Sequence, residues 1–347
     1  MTAPDREALS AATAQPLLSV DGLVVTYQAK RGPRDRRQIR AVDGVSFSLT
    51  TGEILALVGE SGCGKTSIVR AIARLEEPAG GQVLFRGGNV AHVQRQALRR
   101  LRREVQVVFQ DPFESLDPRL TAFDTVAESL LVHKLGSARA ARQERVLATL
   151  DLVGLHPAEE IARRYPHQLS GGQRQRLVIA AAMVLEPDLV IADEPVSMLD
   201  VSLRAGILRL MLDLRDSRGV SILFVTHDLS LAWVIADRVA VVYLGRIVEI
   251  GPMDEVIAAP LHPYTRALVS VIPVPETGVR PERILLRGEA PSASRIPSGC
   301  RFHPRCPLYR QLGEPERCRT EDPALDTMTE QTAPHRAAAC HFTREGS

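Results

Sequence analysis

The stretch that decides the fold is Gly59-Glu60-Ser61-Gly62-Cys63-Gly64-Lys65-Thr66, which has the spacing G-x-x-x-x-G-K-T. The apolar run Ile54–Val58 before it predicts a buried strand, and Ser67–Ala73 after it predicts the start of a helix. Glycines allow such a loop to wrap closely around an anion, and the helix adds the positive end of its dipole. Because strand, loop and helix follow one another in this order, a chance glycine-rich turn explains the stretch poorly. The sequence therefore predicts a site for a nucleoside triphosphate.

Two side chains at the end of this loop have definite expected roles. Lys65 is placed to reach the β- and γ-phosphates, and the hydroxyl of Thr66 is placed to ligate Mg²⁺. Lysine occurs elsewhere only at Lys30 and Lys134, because this chain uses arginine for its other basic residues. It keeps a lysine at the position where a compact charge has to meet a phosphate. Cys63 is interpreted as a filler residue of the loop.

The composition limits the class of protein. At 347 residues the chain fits two domains, or one large domain with an extension, and 45% hydrophobic residues support a packed core. The formal net charge of +2 gives no reason to expect nucleic acid as a partner. The longest apolar runs, about 5–8 residues, are far below the roughly 20 that span a membrane. Met1–Gln15 lacks the apolar core of a signal peptide, so we expect residues 1–16 to be a disordered tail and the protein to be cytoplasmic.

Apolar runs of strand length alternate with segments of helical spacing. The expected strands are Leu17–Tyr27, Val42–Leu49, Ile54–Val58, Val83–Phe85, Val105–Phe109, Leu189–Ala192, Ser221–Thr226 and Val239–Leu244. The expected helices are Gln94–Arg103, Thr125–Val132, Arg139–Leu152, Gln173–Leu185 and Val201–Arg215. The basic segment Gln28–Arg40 is expected to be a solvated loop. The alternation predicts an α/β fold with a mostly parallel sheet, into which a helical block from Thr121 to about Leu185 is inserted.

Two acidic residues, Asp193 and Glu194, end the apolar strand Leu189–Ala192. Carboxylates at the end of a buried strand are costly unless they hold a metal or act on a substrate. Asp193 is placed to hold Mg²⁺ through water. Glu194, one residue further, is placed to polarise an attacking water as general base.

A second candidate anion site is Leu169-Ser170-Gly171-Gly172-Gln173, which opens a predicted helix. Ser170 is expected to cap that helix, and the two glycines leave its first N–H groups bare. One nucleotide does not need two such sites on one chain. The interpretation is therefore that this second site binds the γ-phosphate of a nucleotide held by another copy.

In this order the motifs resemble those of ATP-binding cassette (ABC) transporter ATPases over about residues 18–270. The resemblance covers Walker A at Gly59–Thr66, Walker B at Leu189–Asp193, catalytic Glu194, the signature at Leu169–Gln173, the Q-loop residue Gln110, the D-loop Ser197–Asp200, the switch histidine His227 and Tyr27. It implies that two subunits dimerise head to tail, with each ATP between one subunit's Walker A and the other's signature. Met198 and Ala181 depart from the residues usual in the family, and neither departure removes a catalytic group.

The resemblance also assigns roles to single residues. Gln110 would touch the Mg²⁺ and the attacking water and link to the membrane subunit. His227 would contact the γ-phosphate, although a lone histidine after a strand is more often structural. Tyr27 would stack on adenine, with an ordinary strand aromatic as the alternative. Asp200 would line the nucleotide at the dimer interface.

Five further stretches resemble the oligopeptide, dipeptide and nickel importer ATPases. They are Val107–Pro112, Leu116–Arg119, Tyr165–Gln168, His262–Thr265 and Ser298–His303. The implied fold is a P-loop ABC cassette with a parallel-sheet core, an antiparallel β subdomain and an inserted helical subdomain at about 114–185. The ATPase domain is expected over 17–270, and an importer-type C-terminal extension over 271–347. A proline-containing linker, Val271–Arg295, would join them.

This narrower resemblance implies partners and a location. The partners are two integral-membrane permeases, a second ABC ATPase that is either a different chain or a copy of this one, and indirectly an extracytoplasmic substrate-binding protein. No nucleic acid is expected. The location implied is the cytoplasmic face of the inner membrane, where the chain would be peripheral.

The four remaining cysteines, Cys300, Cys306, Cys318 and Cys340, fall in the last 50 residues of the chain. Several relatives in the importer group bind a [4Fe–4S] cluster with C-terminal cysteines, and four thiolates suit such a cluster or tetrahedral zinc. The spacing lacks the C-x₂-C pair of common zinc sites, and disulfides are not expected in a reducing cytoplasm. Iron–sulfur, zinc and free thiols stay open as alternatives, with His303, His335 and His341 as nearby donors.

The function predicted from these residues and resemblances is an ATPase with ATP and Mg²⁺ as cofactors. It powers the import of peptides or a related small solute. One alternative is an importer ATPase for nickel or another non-peptide solute. A non-transport cassette is the other class, but such proteins usually carry long coiled-coil insertions or two cassettes, and this sequence has one Walker A and no sustained heptad run.

Overall fold

The computed structural model describes residues 15–30, 36–136, 138–272, 283–286, 288–289, 291–327 and 336–343. Nearly all of the predicted disordered tail lies outside the described residues, and so do residues 273–282 of the predicted linker and His335. The helices within the described ranges include none that is both long enough and apolar enough to cross a membrane.

The strands, numbered in chain order, range from two to fourteen residues in length. They are β1 (Leu18–Lys30), β2 (Arg36–Leu49), β3 (Ile54–Val58), β4 (Gly80–Phe85), β5 (Gly88–Asn89), β6 (Val105–Val108), β7 (Leu189–Asp193), β8 (Ser221–Thr226), β9 (Arg238–Tyr243), β10 (Arg246–Pro252), β11 (Asp326–Thr327) and β12 (Ala337–Ala338).

The α-helices are numbered in the same way. They are α1 (Lys65–Ile72), α2 (Arg95–Glu104), α3 (Pro112–Ser115), α4 (Ala122–Val132), α5 (Arg139–Leu152), α6 (Ala158–Ala162), α7 (Gly171–Met183), α8 (Val201–Arg218), α9 (Leu229–Ile235), α10 (Met253–Ala258), α11 (Pro263–Val269), α12 (Pro307–Gln311) and α13 (Glu316–Thr320). Short 3₁₀ turns lie at Val90–His92, Pro166–Gln168 and His303–Arg305.

A central sheet in the order β11-β12-β10-β9-β3-β8-β7-β6 carries the fold. The five strands from β9 to β6 are parallel, which confirms the predicted parallel core. Every residue of β3, β7 and β8 is buried, as expected for parallel strands covered on both faces.

Alternate residues of these strands serve two different cores, because side chains of a strand point to opposite faces in turn. On β8, Ile222 and Phe224 pack with the helical block, whereas Leu223 and Val225 pack with β1, β2 and α1. The central sheet is therefore sandwiched between a helical layer and a second, smaller sheet.

The smaller sheet has the order β2-β1-β4-β5 and is antiparallel, as the predicted antiparallel subdomain requires. The predicted loop Gln28–Arg40 is wrong over most of its length, because β1 continues to Lys30 and β2 starts at Arg36. Gln28 pairs with Gln38, and Thr26 pairs with Arg40. Main-chain pairing extends this ribbon into solvent, where polar side chains give no apolar signal.

The helical block comprises the helices α3 to α7, and its apolar core is continuous with one face of the central sheet. Residues of the block that contribute to this core include Val126, Leu130, Val146, Leu150 and Leu177. Helix α5 has the predicted bounds. Helix α4 begins three residues before its predicted start, because Thr121 and Asp124 form a capping box there.

The C-terminal extension is built onto the central sheet. Strand β12 pairs with the edge of β10, Ala338 opposite Glu249 and Ala337 opposite Ile250, and β11 pairs with β12. The ring of Phe302 packs 5.2 Å from that of Tyr243, measured between centroids. The extension thus shares a sheet and an apolar core with the region before it.

An ion pair fixes this junction. The side chain of Glu249 is fully buried, and its carboxylate accepts from the N–H of Leu261 at 3.0 Å, from the N–H of His262 at 2.8 Å and from Nη2 of Arg336 at 2.9 Å. Arg336 itself is 7% exposed. A buried carboxylate that loses its cation becomes strongly unfavourable, so the pair is a point of vulnerability.

We predict that Arg336→Ala destabilises the protein by about 3–5 kcal/mol, since it leaves the charge of Glu249 buried without its partner. The free energy of unfolding from urea denaturation measures this. The control is Arg317→Ala, which breaks the exposed pair with Glu321 and is expected to cost less than about 1 kcal/mol. Equal losses in the two variants would contradict the prediction.

Candidate nucleotide site

The phosphate loop, residues 59–66, connects β3 to α1 under tight packing. A Cβ on Gly59 would lie 2.2 Å from the carbonyl oxygen of Val242, and a Cβ on Gly64 would lie 2.3 Å from that of Ala41. Gly64 also has φ of +108°, a conformation that side chains disfavour. The loop is thus pressed between β9 and β2 at two positions where only glycine fits.

The ammonium of Lys65 is held inside this loop. The residue is 5% exposed, and its Nζ donates to the carbonyl oxygens of Gly59 at 2.6 Å and Glu60 at 3.1 Å. A buried ammonium needs such acceptors. Phosphate oxygens are acceptors of the same kind with a negative charge, so the position suits the predicted role of Lys65.

Asp193 and Thr66 meet at the end of β7, as predicted for a metal-binding pair. Asp193 is 6% exposed, and burial followed by the charge of Glu194 raises the pKa of its carboxyl group, against a hydrogen bond from Thr66 and the charge of Lys65. No three His, Cys, Asp or Glu side chains of the described ranges are grouped to hold a metal ion. A hydroxyl and one carboxylate instead suit Mg²⁺, which takes its other ligands from water and substrate phosphates.

Two of the three predicted catalytic residues contact the carboxylate of the third. Nδ1 of His227 lies 3.1 Å from Oε1 of Glu194, and Nε2 of Gln110 donates to Oε2 of Glu194 at 3.0 Å. The side chain of Glu194 is 13% exposed. Each carboxylate oxygen thus has its own partner, so the two contacts fix the orientation of the Glu194 side chain.

Sequence reasoning missed the backbone of Glu194, which has φ of +48°. A non-glycine residue in this region costs about 1–2 kcal/mol, and such strain concentrates at functional sites. The N–H of Glu194 donates to the carbonyl oxygen of Val225 at 2.9 Å, which ties the strained residue to β8. Pro195 after the two acids was the available signal of an unusual turn.

Tyr27 lies beside the first turns of α1. Its hydroxyl donates to Glu76 at 2.7 Å and lies 3.1 Å from Oγ of Ser67, and burial raises its pKa. The ring is partly buried and packs against the core beneath β1 and β2. The structure therefore places Tyr27 near the phosphate loop and also gives it a structural contact, and adenine stacking stays a prediction.

The signature segment lies on a different part of the molecule. Oγ of Ser170 accepts from the N–H of Gln173 at 3.3 Å, and the side chain of Gln173 accepts from the N–H of Ser170 at 3.0 Å, which closes a capping box on α7. A Cβ on Gly172 would lie 3.2 Å from Leu203, and one on Gly171 would lie 3.7 Å from Leu199. In the described part of the chain, no hydrogen bond joins residues 170–173 to residues 59–66.

The D-loop adjoins the signature segment and is exposed. Asp200 caps α8 by accepting from the hydroxyl of Ser202 at 2.6 Å and from the N–H of Leu203 at 3.0 Å, and these bonds lower its pKa. Met198 is 59% exposed and Val201 is 80% exposed. Signature and D-loop residues thus form one exposed surface with apolar members, which we call the signature surface.

The four C-terminal cysteines line one small cavity of about 20 Å³, together with His303 and His341. Burial, together with the neighbouring thiols, raises the pKa of Cys300 to about 12 and that of Cys306 to about 11. All four are free thiols, and among the described residues they are not grouped closely enough to form a metal-binding set. The cavity thus brings the four thiols together, but not closely enough to hold a metal ion in this arrangement.

The sequence matches two protein families. Residues 42–197 match the ABC transporter family, and residues 248–311 match the C-terminal region of oligopeptide/dipeptide transporters. The second match begins within β10, covers α10 and α11, and ends with α12 in the C-terminal extension.

Curated relatives are similar over nearly their whole length. A Brucella ovis ATP-binding protein, assigned provisionally to peptide import by its name, is 48% identical over 85% of this chain and 91% of its own. The oligopeptide transport ATP-binding protein AppF of Bacillus subtilis is 43% identical over 96% of this chain and 99% of its own. The dipeptide transport ATP-binding protein DppF of Haemophilus influenzae is 44% identical over 91% of this chain and 94% of its own.

Solved structures with a similar fold are also known. A dimeric post-hydrolysis structure of the ATP-binding cassette MJ0796 with ADP and Pi has a TM-score of 0.60 and 27% identity, and it covers 68% of this chain and 98% of that one. The structure of cbiO1 from Clostridium perfringens, part of the ABC transporter complex cbiONQ, has a TM-score of 0.61 and 27% identity, with 71% and 92% covered.

We predict that Gly64→Ala disrupts the phosphate loop. The new Cβ would collide with the backbone carbonyl of Ala41, and alanine disfavours the positive φ of this position. The expected loss in the free energy of unfolding is at least about 3 kcal/mol, with loss of nucleotide binding. Gly62→Ala is the matched control, since Gly62 also has positive φ, +78°, but its Cβ would meet nothing within 4 Å. It should cost only about 1–2 kcal/mol. Denaturation and fluorescent-nucleotide titration measure both, and similar losses would contradict the packing argument.

Proposed function

The chain belongs to the ABC transporter family of ATP-binding proteins, and we propose from this that it hydrolyses ATP to power the import of peptides or a related small solute. The observation that carries the proposal is the carboxylate of Glu194, held by Gln110 and His227 within 3.1 Å at the end of the strand that carries Asp193. The names of the relatives, which assign them to peptide, oligopeptide or dipeptide transport, support the choice of solute.

Different residues of this chain have different roles in ATP hydrolysis. Lys65 and the backbone of the phosphate loop bind the β- and γ-phosphates of ATP. Thr66 and Asp193 are the residues that would hold Mg²⁺, which when bound neutralises charge on the phosphate oxygens. Glu194 accepts a proton from the attacking water, and the hydrogen bond from Gln110 and the contact with His227 keep its two oxygens in place.

We propose that a second ATPase subunit completes the site. Support comes from the signature surface, where Ser170 and Asp200 are exposed beside apolar Met198 and Val201, and Gly171 and Gln173 are partly buried. Within the described ranges, no hydrogen bond joins these residues or the buried Gly172 to this chain's own phosphate loop. The similar cassette MJ0796 is dimeric with ADP and Pi. The second subunit is either a copy of this chain or a different ATPase.

The membrane partners are part of the same proposal. Phe109 is 40% exposed and Phe113 is 62% exposed, and Arg174 lies over the ring of Phe113 at 4.3 Å. Exposed aromatic side chains next to Gln110 suit a protein partner better than water. We propose that this segment contacts one of two permease subunits at the cytoplasmic face of the membrane, with an extracytoplasmic binding protein delivering the solute. No role for nucleic acid follows.

We predict that Glu194→Gln keeps ATP affinity within about threefold but lowers ATP turnover at least about 100-fold, because the amide cannot accept the proton of water. Steady-state phosphate release and nucleotide titration measure the two effects. With ATP bound and not hydrolysed, this variant should also elute as a dimer in size-exclusion chromatography. Glu186→Gln is the matched control, since the side chain of Glu186 is 70% exposed, and it should behave as the wild type.

Transport itself is tested in cells that lack this chain. Uptake of a labelled dipeptide and oligopeptide should return with the wild-type chain and not with Glu194→Gln. Return of nickel uptake instead of peptide uptake would favour the alternative solute. Turnover by Glu194→Gln within a few-fold of wild type would remove Glu194 as the general base.

The cofactor of the C-terminal extension is a separate proposal. A [4Fe–4S] cluster on Cys300, Cys306, Cys318 and Cys340 is supported by the convergence of the four side chains on one cavity. The small volume of that cavity opposes it, because binding would require the thiols to move apart. We predict that the protein, when purified without oxygen, contains about four irons and four sulfides per chain. One zinc per chain, or no metal, would contradict the iron–sulfur proposal and leave the ATPase proposal intact.

A further inference from the structure

The segment between Cys300 and Cys306 reaches the phosphate loop. Nη1 and Nη2 of Arg305 donate to the two carboxylate oxygens of Glu60 at 2.8 Å and 3.1 Å, which is a two-pronged ion pair. The side chain of Arg305 is 9% exposed and that of Glu60 is 31% exposed. An ion pair of this geometry, largely shielded from water, is stronger than an ordinary surface pair.

A tyrosine holds the backbone at the same residue. The N–H of Glu60 donates to the hydroxyl of Tyr264 at 3.0 Å, and Tyr264 is fully buried against Phe302, 5.4 Å away between ring centroids. The hydroxyl of Tyr243 lies 3.5 Å from Nη1 of Arg305. Both the main chain and the side chain of Glu60 are therefore fixed by groups outside the phosphate loop.

A second arginine of the segment supports the other side of the loop. Arg301, 7% exposed, donates to the carbonyl oxygen of Leu244 at 2.5 Å and pairs with Asp43. The next residue, Gly245, donates its N–H to the carbonyl oxygen of Cys63 within the loop at 2.8 Å. The extension thus braces the phosphate loop from two directions.

The charge of Glu60 gives the contact with Arg305 a further consequence. Glu60 is the second residue of a loop whose task is to bind a polyanion, and an uncompensated carboxylate there would repel the phosphates. Arg305 supplies the compensating charge, since Lys65 turns to the carbonyl oxygens of the loop and not to this carboxylate. Compensation of the charge of Glu60 therefore depends on a residue 245 positions away in the sequence.

We propose that Arg305 is a positioning residue for ATP binding, which acts through Glu60 by neutralising its charge and holding the phosphate loop. The C-terminal extension is thereby a part of the nucleotide site of its own chain. The inference rests on the proposed ATPase function. It assigns Arg305 no contact with the nucleotide.

The test compares ATP dissociation constants of the wild type, Arg305→Gln, Glu60→Gln and the double variant. Arg305→Gln should weaken ATP binding about tenfold or more, because it leaves Glu60 charged and unpaired. Glu60→Gln should bind ATP at least as tightly as the wild type. In this variant the positive charge of Arg305 is no longer neutralised by Glu60, so it attracts the phosphates without contacting them. The double variant should return to within about threefold of the wild type. Arg310→Gln, on the exposed face of α12, is the control.

A purely mechanical brace gives a different pattern. Both single variants would then weaken ATP binding alike, and the double variant would be no better than either; this result would overturn the proposal. Wild-type affinity in Arg305→Gln would overturn it too. If circular dichroism shows that Arg305→Gln does not fold, the affinity of Glu60→Gln for ATP still distinguishes the two explanations. Weaker binding by Glu60→Gln would support the mechanical brace, and equal or tighter binding would support the charge effect. A wild-type chain that binds no ATP would overturn the proposed function as well.

Discussion

Parallel pairing of β3, β8, β7 and β6 is the constraint on which the whole site depends. Because the four strands run side by side in the same direction, the residues that follow them meet at one edge of the sheet. That edge receives the phosphate loop after β3, His227 after β8, Asp193 and Glu194 at the end of β7, and Gln110 after β6. Main-chain bonds fix these positions, as the bond from Glu194 to Val225 shows. The backbone pairing of the strands thus determines where the functional residues lie, and side-chain contacts determine how they are oriented.

An apolar sheet has to stabilise the charges placed at its edges, and it does so in different ways. Lys65 is bound by the carbonyl oxygens of its own loop, so its partners are easily exchanged for phosphate oxygens. Glu249 is bound by a guanidinium and two N–H groups, which leaves nothing to exchange. The first arrangement is suited to ligand binding and the second to stability. This difference separates functional from structural charges better than burial does, since both residues are buried.

Local signals made much of this predictable. The strand Ser221–Thr226 and the helix Arg139–Leu152 have the bounds expected from their apolar patterns, and the residues predicted for catalysis around Glu194 lie together. Features that depend on distant pairing were missed, such as β10 with β12 and the polar hairpin ends of β1 and β2. The contact between Arg305 and Glu60 spans 245 residues and leaves no local pattern. Spacing likewise identified four cysteines but could not give the distances that decide whether they hold a metal.

The ribosome can synthesise the partner of a buried charged residue much later than that residue itself. Glu249 precedes Arg336 by 87 residues, and the edge of β10 is covered only when β12 has been added. At about 5–20 residues per second, the ribosome needs roughly 4–17 seconds for that interval. During this time the nascent sheet has an open edge, which invites pairing with another chain, and Glu249 lacks the cation that compensates its charge. The interval before β12 is synthesised is therefore one in which the edge of β10 is open to aggregation.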